Sequence, residues 1–186
     1  HDADEDWWGD FCRISNKLIA DSGVDPHDIL AVGASALGAD CLPVDEECRP
    51  LRKAILYGID SRATKEMADL TELYGEEQIK KWYGRPLCSS DVMPKILWTA
   101  KLTGEYVVDR FLGLASFNPL YNSDGTPNPE LCKPICRPDQ LSAIKEANDI
   151  AGTVTAKAAA ETGLAEGTPV ITGTDDSGAE AISIGV

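Results

Sequence analysis

The stretch GTPVITGTDDSGAEAISIGV, residues 167–186, carries an apolar run that turns into a helical pattern, with two adjacent aspartates at the turn. Pro169 to Ile171 is a short β-rich run behind a Gly/Thr/Pro turn, which reads as a buried strand. Gly173 and Thr174 break it. Ser177 followed three residues later by Glu180 has capping-box spacing, and Ala179, Ala181, Ile182 and Ile184 follow without a breaker, so the pattern predicts a helix opening at Ser177. The aspartates therefore occupy a strand-to-helix elbow. Side chains alternate along an extended backbone, so Asp175 and Asp176 are not expected to face one cleft together. A single aspartate in such a place often does no more than cap the helix or complement its positive end.

Working outward, VTAKAAAETGL (154–164) predicts a helix stopped by Gly163, and RPDQLSAIKEANDIAG (137–152) supplies another helical pattern. At the other end, residues 4–26 place Trp8, Phe11, Cys12, Leu18 and Ile19 near helical spacing, with Gly23 and Pro26 as stops; the Trp pair reads as core packing. Residues 28–63 read as strand, small-residue turn, strand, polar hairpin and strand. The run GASALGAD within them would let another molecule approach the backbone, or let two layers pack closely. Ser61 then opens a helix with Met67, Leu70, Leu73 and Tyr74 on one stripe and Gly75 at its end, which puts Asp60 at a second elbow. Residues 76–111 offer a short helix, a Pro-containing loop and a helix from about Pro94, with Lys95 and Trp98 one turn apart; residues 117–134 read as loop. Two elbows with carboxylates at strand ends suggest a cleft at the edge of an open α/β sheet.

Composition narrows the chemistry. The 186 residues are 43% hydrophobic and 26% charged, ordinary for a folded domain, and there is no apolar run long enough for a membrane span. A net charge of -14, from 17 Lys and Arg against 31 Asp and Glu, points away from nucleic acid and anionic membrane and toward a small neutral substrate. The six cysteines are scattered without C-x-x-C and are expected to be reduced, in a cytoplasmic protein without a metal site. His1 is terminal and His27 lies in a polar turn, so histidine-based nucleophile systems are disfavoured and acid–base work falls to a carboxylate. P-loop and dinucleotide-binding glycine motifs are missing.

Several separated runs together resemble the FGGY carbohydrate kinases, the family of xylulose, ribulose, gluconate and glycerol kinases. They are DWW (6–8), VGASALGADCLPVDEECRPLRKAILYGIDSRA (32–63), MPKILW (93–98), KLTGEYVVDRF (101–111), NPLYN (118–122) and the whole of 151–186. The resemblance implies an actin-like (ribonuclease H-like) ATPase domain, an α/β mixed sheet flanked by helices, here incomplete. It implies that residues 1–186 are most of the N-terminal, sugar-binding domain. The family's first phosphate-binding hairpin, a segment after Trp98 and the C-terminal ATP-binding domain would lie outside this sequence, as parts of a longer product. The implied activity is transfer of the ATP γ-phosphate, with Mg2+, to a hydroxyl of xylulose or a related sugar, polyol or sugar acid. Asp176 would be the general base; Gly38, Ala39, Asp40, Tyr57, Asp60 and Ser177 would contact the sugar. Gly38 and Ala39 stand where xylulose kinases carry a larger residue and a histidine, which argues against a plain xylulose kinase. A non-catalytic sugar-binding or regulatory module of the same fold is the alternative, and a homodimer stays open.

Overall fold

Helix boundaries follow the breakers in the sequence. In the computed structural model, which describes residues 1–36, 38, 40–56, 58–89, 91–104, 108–112 and 119–185, the helices are α1 (Gly9–Ser22), α2 (Thr64–Tyr74), α3 (Glu76–Tyr83), α4 (Val92–Thr103), α5 (Pro129–Cys132), α6 (Ala156–Thr162) and α7 (Asp176–Ser183). The strands are β1 (Ser35–Ala36), β2 (Leu42–Val44), β3 (Arg110–Leu112), β4 (Ile150–Thr153), β5 (Pro169–Ile171) and β6 (Thr174–Asp175). The stops at Gly23, Gly75 and Gly163 fall where the sequence placed them. Gly23 and Gly163 take the left-handed conformation that a residue with a Cβ adopts only at a cost. The chain divides into two units, one formed by His1 with Leu37–Ile144 and the other by Asp2–Ala36 with Lys145–Val186.

The second unit contains the acidic elbow. Antiparallel β4 and β5 pair Ile150 with Ile171 and Thr153 with Pro169, and Val32 bridges Val170 in parallel. Parallel β1 and β6 align Ser35 with Thr174 and Ala36 with Asp175. The described strands thus pair as small two-stranded sheets, one parallel and one antiparallel in this unit, within the α/β class that the family resemblance implied. Gly173 (φ 73°) makes the crossing possible, because a Cβ there would collide with the Ala34 carbonyl oxygen. Helices α1 and α6 are joined by Asn16 Nδ2, which donates to the Glu161 carbonyl at 2.7 Å, and by Trp8 Nε1, which donates to Glu161 Oε2 at 2.5 Å.

In the first unit the core gathers Cys41, Ile55, Leu70, Ile79, Met93, Ile96, Phe111, Leu120 and Leu141. Antiparallel β2 and β3 cross this core, pairing Leu42 with Leu112 and Val44 with Arg110. The polar hairpin after β2 is closed by Asp45, whose carboxylate accepts from the backbone of Glu47 and Arg49 and from Arg49 Nε at 2.7 Å. Helix α4 is the buried one: Val92, Met93, Lys95, Ile96, Thr99 and Ala100 are all inside. It opens two residues before Pro94, a first-turn place where the missing N–H of proline does no harm.

Five expectations are corrected. Strand β1 (Ser35–Ala36) lies in the run read as a small-residue turn, and helix α5 (Pro129–Cys132) in the run 117–134 read as loop. Residues 137–152 do not form a helix. A single turn at Pro138–Gln140 is followed by extended chain, Asp149 Oδ2 accepts from Glu146 N at 3.1 Å, and the chain enters β4. An aspartate turn and strand pairing outweigh helical spacing there. The Trp pair does not pack into a core: Trp7 and Trp8 are 38% and 39% exposed, with Trp8 stacked on Phe11 at 5.7 Å. Finally, α7 opens at Asp176 rather than at Ser177, and its cap is Asp175.

Candidate functional site

The cap assignment separates the two aspartates. Asp175 closes β6 in an extended conformation (φ -70°, ψ 170°), and its Oδ1 accepts from the Gly178 N–H at 2.7 Å, satisfying one of the orphan donors of the helix start. Asp176 is the first helical residue. Its Oδ1 accepts from the Ser177 N–H at 2.9 Å and from the Ser177 hydroxyl at 3.4 Å, while Oδ2 receives nothing from the described residues. The side chain is half-buried and sits at the positive end of α7, an environment that suits a carboxylate. Each aspartate thus has one oxygen on a backbone N–H, but only Asp175 caps the helix; Asp176 bonds no further than the adjacent Ser177. The division comes from capping rather than from alternation along a strand, since only Asp175 is in the strand. Gly178 guards the arrangement: a Cβ there would strike Thr174 Oγ1 and come within 2.9 Å of Asp175 Oδ1. Ser177 is exposed and turned toward Asp176.

The other expected sugar contacts belong to the first unit. Gly38 is a half-buried turn residue and Asp40 is buried; Ala39 and Tyr57 lie outside the described residues. Asp60 does sit ahead of α2, but its carboxylate is held by Arg62. The guanidinium Nε donates to Oδ2 at 2.8 Å and to Oδ1 at 3.0 Å, Nη2 also meets Oδ2, and the Arg62 N–H donates to Oδ1 at 2.9 Å. Those bonds from Arg62 hold the Asp60 carboxyl below the usual range.

Around Asp60 the first unit assembles charges that sequence reasoning did not gather. Lys95 is almost wholly buried, and its ammonium pKa is depressed by that burial, with Cys41, Asp40 and Asp60 close enough to oppose the shift. Cys41 faces Thr99 Oγ1 at 3.9 Å, and burial pushes its thiol up to about 12. Two arginines lie over Trp98: the guanidinium carbons of Arg52 and Arg62 are 4.8 and 4.5 Å from the ring centre. The sequence signal was present in the run 50–63, which supplies both arginines, but nothing in it indicates that they converge on a tryptophan some forty residues later. Among the described residues no group of three or more His, Cys, Asp or Glu side chains could hold a metal ion, and no helix is long and apolar enough to cross a membrane.

Comparison with known proteins adds an independent line. The family model described as "FGGY family of carbohydrate kinases, N-terminal domain" matches residues 1–103 and 92–183. An autoinducer-2 kinase of Enterobacter sp. (strain 638) is 32% identical, and one of Yersinia enterocolitica is 28% identical; both alignments take in 96% of this chain and 38% of the relative. The chain thus spans well under half the length of those relatives. A crystal structure of a xylulose kinase from Rhodospirillum rubrum superposes with a TM-score of 0.83 at 21% identity, covering 97% of this chain and 42% of that one. At that identity the likeness establishes the fold, an actin-like ATPase architecture of which this chain holds a part.

Proposed function

Because this chain belongs to the FGGY family of carbohydrate kinases, we propose that the protein carrying it transfers the γ-phosphate of ATP to a hydroxyl of a small sugar, with Asp176 as the general base. The observation that carries this reading is the division of labour at the elbow. Asp175 caps α7 through the Gly178 N–H, whereas Asp176 has no part in the cap: its Oδ1 meets only the N–H and hydroxyl of the adjacent Ser177, so its carboxylate can receive the proton of an incoming alcohol without uncapping the helix. Phosphoryl transfer asks the protein chiefly for alignment and charge stabilisation. A positioned base adds roughly a hundred- to ten-thousandfold by orienting the hydroxyl and taking its proton as the bond to phosphorus forms. Ser177, exposed beside Asp176, is suited to a hydrogen bond with the same sugar.

ATP supplies the phosphoryl group in this reading, and Mg2+ travels with its phosphates; neither is assigned a ligand among the described residues. Residues 1–186 are proposed to form most of the sugar-binding domain, with the nucleotide held by other parts of the protein. The curated relatives are named for autoinducer-2 and the Rhodospirillum rubrum structure for xylulose, so both compounds open the substrate panel. The full-length protein should release ADP from Mg-ATP with at least one member of a panel of these two, other pentuloses, hexuloses, polyols and sugar acids. Asp176→Asn should abolish that turnover with the fold intact. A wild-type protein inert toward the whole panel while still binding sugars would favour a non-catalytic module instead.

A further inference from the structure

The first unit holds a constellation that the chemistry of the elbow does not use. Arg52 and Arg62 both rest on the Trp98 ring, at 4.8 and 4.5 Å. Arg62 is answered by Asp60 through Nε and Nη2. Arg52 is not: its Nε is shut off from solvent and meets no acceptor among the described residues. Buried N–H donors in native proteins nearly always have a partner, because leaving one unmade forfeits its hydration without return. Burial disfavours the charge of Arg52, repulsion from Arg62 adds to it, and Cys41 and Asp60 only partly oppose the two. Stacking on an indole accounts for where the Arg52 plane lies, since a guanidinium over an aromatic face is attracted to it. It does not account for a sequestered donor.

The wider balance of charge has the same sign. Lys95, Arg52 and Arg62 outnumber Asp40 and Asp60 here, in a chain whose net charge is -14. A local cationic excess in so acidic a protein is a place where an anion gains more than elsewhere on the molecule. Arginine presents its N–H groups as a planar fork that matches carboxylate and phosphate oxygens, and Trp98 fixes that plane before any ligand arrives.

We propose that Arg52, together with Arg62 beside it on Trp98, forms an oxyanion site that takes the carboxylate or phosphate group of a small metabolite. The site stands on residues of the first unit alone and would hold if Asp176 were not a catalytic base. An oxygen of the anion accepts from Arg52 Nε, and its negative charge relieves the repulsion between the two guanidinium groups.

Isothermal titration of the full-length protein with inorganic phosphate and with D-gluconate, at constant ionic strength, tests the proposal. Saturable binding of at least one anion is expected, weakened tenfold or more in Arg52→Gln with an unchanged melting temperature and partly kept in Arg52→Lys. Preference for phosphate identifies a phosphate ester as the ligand group, and preference for gluconate a carboxylate. No saturable binding by the wild type, or equal affinity in Arg52→Gln, overturns the proposal; phosphate held elsewhere in the protein would give that second result. If Arg52→Gln does not fold, the arginine Nε–H NMR resonances of the wild type decide. One buried resonance must shift on titration with either anion, and none shifting overturns it.

Discussion

Replacing Asp175 and Asp176 in turn separates placing a base from being one. Asp175→Ala removes a single bond, Oδ1 to the Gly178 N–H at 2.7 Å, at the start of an eight-residue helix. Losing an N-cap acceptor costs about 1 kcal/mol, with a range of roughly 0.5–2. If all of that opposed an ordered first turn, its population relative to frayed forms would fall about fivefold, and by at most roughly thirtyfold at the upper limit. Turnover follows the fraction of molecules with the turn formed, so it should fall by no more than that factor, since the base keeps its chemistry whenever the turn is formed. Asp176→Asn leaves the cap in place but cannot take a proton, so a loss of roughly a hundred- to ten-thousandfold is expected. Asp175→Asn, which retains an oxygen acceptor suited to an N-cap, should remain within a few tenths of a kcal/mol of the wild type and within a few-fold in kcat. The assay is coupled ADP release at saturating Mg-ATP with the best sugar of the panel, alongside thermal melting of each variant. Equal loss of kcat in Asp175→Ala and Asp176→Asn, or failure of Asp175→Asn to keep activity, would refute the assignment of the two roles.

Gly173→Ala should destabilise the protein by more than about 2 kcal/mol, because its Cβ would meet the Ala34 carbonyl at a positive φ, whereas Gly167→Ala, also at positive φ but in open space, should cost about 1 kcal/mol; urea denaturation compares them. Asp60 has a depressed folded-state pKa, so its bonds to Arg62 stabilise the fold above the ordinary carboxylate range, near pH 4, and that contribution is lost as pH falls through the lower folded value. The stability gap between wild type and Asp60→Asn should therefore be full at neutral pH and close below about pH 4; a gap independent of pH contradicts it. With a thiol-reactive disulfide reagent at pH 8, exposed Cys48 should react promptly in the native protein, while Cys41, buried and shifted to about 12, should react only on unfolding.

Local punctuation was the legible part of the sequence. Gly23, Gly75 and Gly163 end helices where they were expected to, and Pro169–Ile171 is the strand that its β-rich run indicated, because these signals act within a few residues of themselves. Competition between local signals was harder to read. Residues 137–152 have helical spacing, yet Asp149 turns the chain and Ile150 pairs with Ile171, a residue outside any window used to judge periodicity. At the elbow, Ser177 and Glu180 have the spacing of a cap, but Asp175 reaches Gly178 first and the helix starts earlier. At the candidate site, the sequence pattern placed the two aspartates at a strand-to-helix elbow, and only the family resemblance pointed to Asp176 rather than Asp175. The meeting of Arg52, Arg62 and Trp98 was not legible, since it depends on how three separate segments pack.

The pairing of Ser35 with Thr174 has a consequence for how the protein is made. The unit that holds the elbow begins near the start of the chain and is completed only by residues beyond 144, while the intervening segment forms a unit of its own. On the ribosome, residues 37–144 emerge before β6 does, so they can settle first while β1 waits for its parallel neighbour. Within residues 1–186 the acidic turn is then ordered after the middle segment, and nascent chains stalled with residues 37–144 outside the ribosome but β6 still within it should resist proteases across that segment yet remain open to cleavage near residue 35.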